Sequence, residues 1–541
     1  MNMPDRRAVL AGLTAGAVGG LATGGVGGWA GPRSAAAATP AACPPSMPGD
    51  KVGRRDTRYP DLVARGSNRR FRASPDYIHL ASSTDQVVAA VAEAVRAGKR
   101  IAVRSGGGCF ADFVDNPDTE VIIDLAGMTG LRYDPARRAF AVEPGIQLGE
   151  LYRRLFLGWG VTVPLGSCPE VGAGGHIMGG GHGAMSRLHG LGVDHLYAVE
   201  VVTVDAANEV RVTVATREPH NPHRDLLWAH TGGGGGNFGV VTRYWLRTPG
   251  AAGDDPRHLL PRPPARVLDF QLLWGWDRLD HESFTRLVRQ HGGWHAANSA
   301  PGSPGTALHS ALLLFGTKLG AVIVKGQVVG PQAERTLAGY VAALTAGMSA
   351  PHHLEQAYRP WLENQTSAGD SEETLGSRFV VKTGYLRDRF TDAQIQVLWE
   401  FLSARPEAGP QGALWLVSTG GKVNAVRPGD TAVAQRDCVL KAIFTASGSS
   451  AEEDAAHQQW VRDLYRKVYA TTGGVPSHDA RNGGCYINYP DPDLADPEQN
   501  TSSVPWHDLY YGTNYARLQR VKRTWDPRDH FRHALSVRPP D

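Results

Sequence analysis

The sequence predicts an α+β protein in which a first half of alternating strands and helices is followed by a large antiparallel sheet with helices on one face. Three observations carry this. Residues 77–246 alternate short β-branched runs with helical patterns, and glycine-rich loops stand beside the strands. Composition breaks at Pro249–Pro264, where Gly250, Gly253, Pro256, Pro261 and Pro263 mark a domain boundary. Beyond it, long apolar runs rich in β-branched and aromatic residues are separated by helical patterns.

The first residues, 1–38, have the layout of an export signal. Arg6 and Arg7 precede a Gly/Ala-rich run, Ala8–Ala30, and a small-residue tract, Ser34–Ala38. The arginine pair points to the twin-arginine route, which carries folded proteins out of the cytoplasm. Glycine in the run and the small-residue tract after it argue against a membrane anchor. Pro40 stands where a lipoprotein signal ending at Cys43 would want an aliphatic residue. About 500 residues follow, enough for more than one core. The net charge of +3 comes from mixed acids and bases, so no nucleic-acid footprint is present, and no membrane partner is expected after cleavage. Five cysteines, Cys43, Cys109, Cys168, Cys438 and Cys485, are an odd number for an exported protein. If Cys168 serves chemistry, the other four pair or stay as thiols.

Tyr77–Leu80 reads as a strand, and Thr84 as the cap of a helix carrying Val87, Val88, Val91 and Val95 on one face. Ile101–Arg104 is a strand that runs into Ser105-Gly106-Gly107-Gly108-Cys109, the setting of a phosphate cradle. Val121–Leu125, Ala139–Glu143, Val199–Val204 and Val240–Leu246 are further strands, and Leu148–Leu157 is a helix. In the second half the expected strands are Val267–Trp274, Leu308–Phe315, Ala321–Val329, Phe379–Thr383, Leu414–Ser418 and Val439–Thr445. Helical patterns cover Glu334–Thr345, Asp392–Ser403 and Ala451–Tyr469.

Chemistry concentrates in Pro164–Arg187. Gly172, Gly174, Gly175, Gly179, Gly180, Gly181 and Gly183 alternate there with Val171, Ile177 and Met178, behind Cys168. Such spacing lets backbone approach a ligand and offer N–H donors to phosphates. A flexible linker would be filled with Ser and other polar residues instead. Thr231–Val241 supplies a third glycine loop. A nicotinamide-binding Rossmann unit is disfavoured, because no glycine fingerprint follows a first strand and opens a helix with an acid beyond it. His176, His182, His189 and His195 are spaced by six, seven and six residues, which places no pair on one helical face, so no metal site is expected.

With these stretches placed, the chain resembles the FAD-linked oxidases of the berberine-bridge-enzyme type, within the vanillyl-alcohol-oxidase fold. The resemblance spans residues 50–541 and is carried by RSGGGCFADF (104–113), GSCPEVGAGGHIMGGGHG (166–183), GGGGGNFGVVT (232–242), YINYPD (486–491) and LQRVKRTWDP (518–527). The texture is similar to bacterial sugar and secondary-alcohol oxidases of antibiotic tailoring, glycopeptide hexose oxidases among them.

The resemblance implies a two-part FAD-binding domain, 50–250 with the returning tail 481–541, and a substrate domain, 251–480, whose sheet roofs the flavin ring. It implies cofactor contacts from Arg104, Ser105, Gly106, Gly107, Gly108 and Cys109. The cradle would be Val171, Gly172, Gly174, Gly175, His176, Gly179, Gly180 and Gly183, with Gly239, Val240, Tyr486 and Asn488. Cys168 would be joined to flavin C6. Many members carry a second link from a histidine where this chain has Gly108, so the histidyl bond is absent, and Cys109 would point away from an extended Gly108. Tyr489 would be the base that takes the alcohol proton, with Tyr385 assisting it and His182 bonding a sugar hydroxyl. Val171, third after the cysteine, would gate dioxygen. The implied activity is an exported oxidase passing hydride from a sugar or glycosylated natural product to flavin N5 and electrons to dioxygen, giving peroxide. The alternative is a non-catalytic or dehydrogenase-type flavoprotein that binds carbohydrate.

Overall fold

A computed structural model describes residues 49–540 apart from 368–377, 406–409 and 411. The signal at 1–38 and Cys43 lie outside the described residues. Three sheets organise the described chain. The first holds β1 (Asp50–Gly53), β2 (Tyr77–Leu80), β3 (Ile101–Arg104) and β4 (Val121–Asp124) in the order β1-β2-β4-β3, with β2, β4 and β3 parallel. The parallel strands are almost wholly buried, which is why they read as continuous apolar runs. The helix Thr84–Arg96 joins β2 to β3 and buries Val87, Ala90, Val91, Ala94 and Val95. Its cap is Ser83, not Thr84. Ser83 is extended and its Oγ accepts from Gln86 N at 3.3 Å, whereas Thr84 donates to Glu200 at 2.9 Å.

The second sheet contains β5 (Leu131–Asp134), β6 (Ala139–Val142), β7 (Leu196–Val204), β8 (Val210–Thr216) and β9 (Val240–Leu246), in the order β5-β6-β9-β7-β8. β7 starts three residues before the expected Val199, because Leu196 and Ala198 still pair with β9 across a bulge.

The third sheet is antiparallel and has seven strands among the described residues. They are β10 (Arg266–Gly275), β11 (Leu308–Phe315), β12 (Ala321–Val328), β13 (His353–Pro360), β14 (Arg378–Leu386), β15 (Ala413–Ser418) and β16 (Leu440–Gly448), ordered β13-β10-β12-β11-β15-β16-β14. One face packs against the helices His281–Ala297, Ala333–Thr345 and Asp454–Val468, through contacts such as His295 Nε2 to Ser310 Oγ at 2.8 Å and Ser310 Oγ to Tyr340 Oη at 2.9 Å. Side chains alternate along a strand, so His309, Ala311 and Leu313 stand on the opposite face. That face roofs the cavity described next.

The chain then returns to the first half. Arg517 in the helix Tyr515–Trp525 pairs with Asp225, and Lys522, fully buried, donates to Asn237 O at 2.8 Å, Phe531 O at 2.6 Å and Asp526 at 2.7 Å. A buried ammonium with three acceptors is satisfied, and it ties the tail to the third glycine loop.

Candidate active site

A cavity of about 350 Å³ lies between the glycine loops and the third sheet. One end is made mostly of backbone, with twelve glycines in its wall from the segments after β3, around the helix Ala173–Met178 and before β9. Gly106 and Gly172 bring two of these segments into backbone contact, and a Cβ on either would overlap the other. Arg104, Ser105, Gly107, Gly108, Cys109, Val171, Gly174, Gly175, His176, Gly183, Gly239 and Val240 all line the cavity. Arg104 is committed to structure as well. Its Nε donates to Asp124 at 2.9 Å, and Asp124 also takes Arg65. A pocket walled by glycine backbone presents N–H groups and room for a diphosphate, so these residues fit a flavin dinucleotide.

Cys168 lines the same cavity, and its thiol meets Glu170 Oε2 at 3.5 Å. Cys109, Cys438 and Cys485 form no disulfide. Burial pushes the Cys109 thiol up to about 12 and keeps it protonated.

The segment after Gly484 enters from the side. Asp491 accepts from the Lys382 ammonium at 2.7 Å and its backbone N–H donates to the Tyr510 hydroxyl oxygen at 2.9 Å, which fixes the residues just before it. Among those, Tyr486 and Tyr489 face the cavity with rings 5.4 Å apart and nearly perpendicular. Phe110 stacks on Tyr489 from the loop after β3, and the Lys441 ammonium lies 4.9 Å from the Tyr489 centroid and 4.4 Å from that of Tyr486. Burial raises the Tyr489 phenol, with Tyr486 and Cys168 adding to the shift. It lowers Lys441 to about 7, near the pH at which an amine exchanges protons readily.

Asn488 donates to His176 O and to Tyr486 Oη, each at 2.9 Å. It passes so close to Gly179 that a Cβ there would overlap its amide. Gly179 therefore serves the packing of this segment, and neither it nor Gly180 lines the cavity, in contrast to the expectation. Tyr385 also differs from its expected place. It sits on β14 beside Tyr486, with ring centroids 6.0 Å apart, outside the cavity lining. Its own phenol is raised well above 10.0 by burial, and by Tyr486 in addition. The group beside Tyr489 that can carry opposing charge is Lys441.

His182 is buried on the cavity wall. It is hydrogen-bonded to the backbone of Ser418, and its Nε2 has no partner. Its pKa falls well below 6.5 through burial first and Lys441 next. His309 lines the wall nearby, its Nδ1 against Ser418 Oγ at 3.0 Å, and is held neutral at about 3 by burial and by Arg187. No cluster suited to a metal ion occurs among the described residues. Sequence reading missed Lys441, Lys325, His309 and Phe110. Three of them are single polar residues inside apolar strand runs, and that interruption was the only signal available.

Fold and site together define a flavin-dependent oxidoreductase, with a dinucleotide cradle at one end of a cavity and a phenol beside an amine at the other. Comparison places it further: the chain belongs to the berberine-bridge-enzyme-like family of FAD-linked oxidases. Residues 75–212 match the family described as FAD binding domain, and 485–538 match the one described as berberine and berberine like. An aclacinomycin-N/aclacinomycin-A oxidase of Streptomyces galilaeus is 48% identical over all of this chain and 99% of its own. A hexose oxidase of Chondrus crispus is 28% identical over 89% of this chain and 93% of its own. The crystal structure of a glycopeptide hexose oxidase with teicoplanin superposes with a TM-score of 0.88, at 49% identity, covering 92% of this chain and all of that one.

Proposed function

We propose that the protein is an exported oxidase that removes hydride from an alcohol carbon of a sugar or glycosylated natural product and delivers electrons to dioxygen. The observation that carries this reading is the Tyr489 phenol, set between Phe110 and Lys441 on the wall of the cavity that Cys168 also lines. Relatives named for aclacinomycins and hexoses support the substrate class. The bound FAD supplies a hydride acceptor at N5. Every other part is done by side chains of this chain.

Tyr489, as its phenolate, takes the alcohol proton on its Oη. A buried phenolate is costly, and a protonated Lys441 over the ring offsets that cost. Because Lys441 sits near 7, it changes charge in the pH range where the enzyme would work. His182 Nε2, unpartnered on the wall, is an acceptor for a substrate hydroxyl. Phe110 and the buried Asp491–Lys382 pair hold Tyr489 in place. The cofactor is held through Cys168 by a thioether, singly, since Gly108 has no side chain to form the second link. The test is a panel of mono-, oligosaccharides and glycosylated antibiotics, read by peroxide release in air and by flavin bleaching without air. Bleaching without peroxide would make the protein a dehydrogenase. No bleaching by any member would leave a carbohydrate-binding flavoprotein.

A further inference from the structure

Ser418, at the end of β15, holds two histidines of the cavity wall and gives them opposite hydrogen-bonding roles. Its backbone bonds the His182 ring at Nδ1, since Nε2 has no partner. That bond favours the charged imidazole, so it runs from Nδ1–H to the carbonyl and leaves Nε2 able only to accept. The Ser418 hydroxyl accepts from Ser310 N at 3.1 Å and meets His309 Nδ1 at 3.0 Å. Ser418 is fully buried, and a hydroxyl proton without an acceptor there would be costly. The proton therefore goes to His309 Nδ1. His309 keeps its own proton on Nε2, which can only donate.

The two rings line the cavity with centroids 6.3 Å apart and planes at 54°. The polar groups around them are already engaged. His176 Nε2 accepts from Gly166 N at 2.9 Å. Gln327, opposite His309 on β12, accepts from Asn364 at 2.9 Å and turns its amide to Met185. Burial keeps both rings neutral, so donor and acceptor do not exchange roles. His309 is two residues along β11 from Ala311, which is in register through Val417 with Lys441. That is about 7 Å from the reacting end, within the reach of one sugar ring. Among the described residues lining the cavity there is no aspartate or glutamate, so no counter-charge awaits an amino sugar.

We infer that His182 and His309 together read a neutral vicinal diol on the sugar ring that is oxidised. His309 Nε2–H donates to one hydroxyl, that hydroxyl donates to its neighbour, and the neighbour donates to His182 Nε2. Every donor and acceptor of the pair is then met. A bent chain of three hydrogen bonds, each about 2.8 Å, suits rings at this separation. The inference rests on the reading of the cavity as the site of a glycoside oxidase, with the reacting hydroxyl at Tyr489. The competing occupant is a water molecule, which would bridge the two rings beneath any sugar and select none.

The experiment uses flavin-loaded enzyme reduced with dithionite without air, so that no sugar is turned over, and measures binding by calorimetry. The probes are methyl β-D-glucopyranoside and its 2-deoxy, 3-deoxy and 4-deoxy analogues. Two analogues, deoxygenated at neighbouring carbons, should bind about tenfold weaker or more, since each leaves a ring nitrogen unmet. In His182→Phe and in His309→Phe the parent sugar should weaken by a similar factor, and those two penalties should disappear. His309→Gln, which keeps an N–H donor, should retain them. Analogues that all bind as tightly as the parent overturn the inference in favour of water. So do a penalty at one carbon only, penalties that survive both phenylalanine variants, or a parent sugar that does not bind. Bleaching of the oxidised enzyme by glycosides tests the oxidase reading separately. An enzyme bleached by sugars yet indifferent to the missing hydroxyls loses this inference alone. One that shows the penalties yet is bleached by no glycoside loses the oxidase reading alone.

Discussion

Phe110 stacks on Tyr489 with 4.9 Å between ring centroids and 8° between planes, so the loop that follows β3 directly supports the phenol at the reacting end of the cavity. The Phe110 carbonyl in turn accepts from Asn68 Nδ2 at 2.9 Å. A phenolate held this way has few orientations to lose when it takes a proton. Tyr489→Phe should therefore lower turnover by about 10²- to 10⁴-fold, the range of a lost general base, while flavin content is unchanged. Tyr385→Phe, one ring further from the cavity, should cost far less. The reverse order of the two losses would move the base to Tyr385.

Attachment of the cofactor is checked by acid precipitation. Wild-type protein should stay yellow in the pellet and Cys168→Ala should release its flavin to the supernatant. Mass spectrometry of tryptic peptides should find flavin on the Cys168 peptide alone, and a flavin-bearing histidine peptide would contradict single attachment.

Gly108→His places in this loop the histidine that the family resemblance leads one to expect there. The left-handed turn of the loop belongs to the neighbouring Gly107, whose φ is 84°, and it brings Gly107 onto the Arg65 carbonyl. A second link formed by the new histidine should raise the potential of the flavin. About 30 mV corresponds to about tenfold in the equilibrium for accepting hydride, so bleaching by substrate should quicken by a similar factor. A doubly linked variant that bleaches no faster would make glycine here a functional choice.

Lys441 gives a prediction in pH. Its ordinary value is 10.5 and burial takes it to about 7. Between those values the unfolded chain binds more protons at this residue than the folded one, so its contribution to stability falls as pH drops through that window. Lys441→Met removes the contribution. Its Tm advantage over wild type should grow as pH falls from 10.5 to 7 and stay level below, by at most about 1.4 kcal/mol per pH unit. A difference in Tm that is flat across the window would show the amine charged throughout.

Val171 lines the cavity and is half-buried against the main core. Val171→Leu adds a methylene at the proposed entry of dioxygen, and overfilling of this kind costs about 1–3 kcal/mol in packed protein. Stopped-flow reoxidation should slow by about tenfold or more while bleaching by substrate is little changed. Equal reoxidation rates would leave Val171 as packing only.

Strands such as Ile101–Arg104, Leu308–Phe315 and Val240–Leu246 were readable to the residue, because runs rich in apolar residues ended at glycine or charge. The helix Asp392–Ser403 was equally plain from its 3.6-residue pattern, and the structure adds the Thr391 cap with Gln394. β13 was not readable. Every residue of His353–Pro360 is exposed, so neither face imposes an alternation, and only pairing with β10 makes it a strand. The site divided in the same way. Motif residues announced themselves by glycine spacing, while the row of Lys325, Ala311, Val417 and Lys441 exists only through register between strands far apart in sequence. Tyr385 was expected to assist Tyr489 from the family resemblance, and the structure sets it beside Tyr486 and outside the cavity lining.

The Lys522 ammonium, buried among Asn237, Asp526 and Phe531, makes completion of the cradle depend on the last part of the chain. A ribosome that has delivered β16 has already made all three sheets, but the loop before β9 still lacks the cation that fixes it. Arg532 and His533, which close one end of the cavity, are also still to come. Loss of the last twenty residues should therefore leave the cradle without Lys522, Arg532 and His533 and weaken flavin retention.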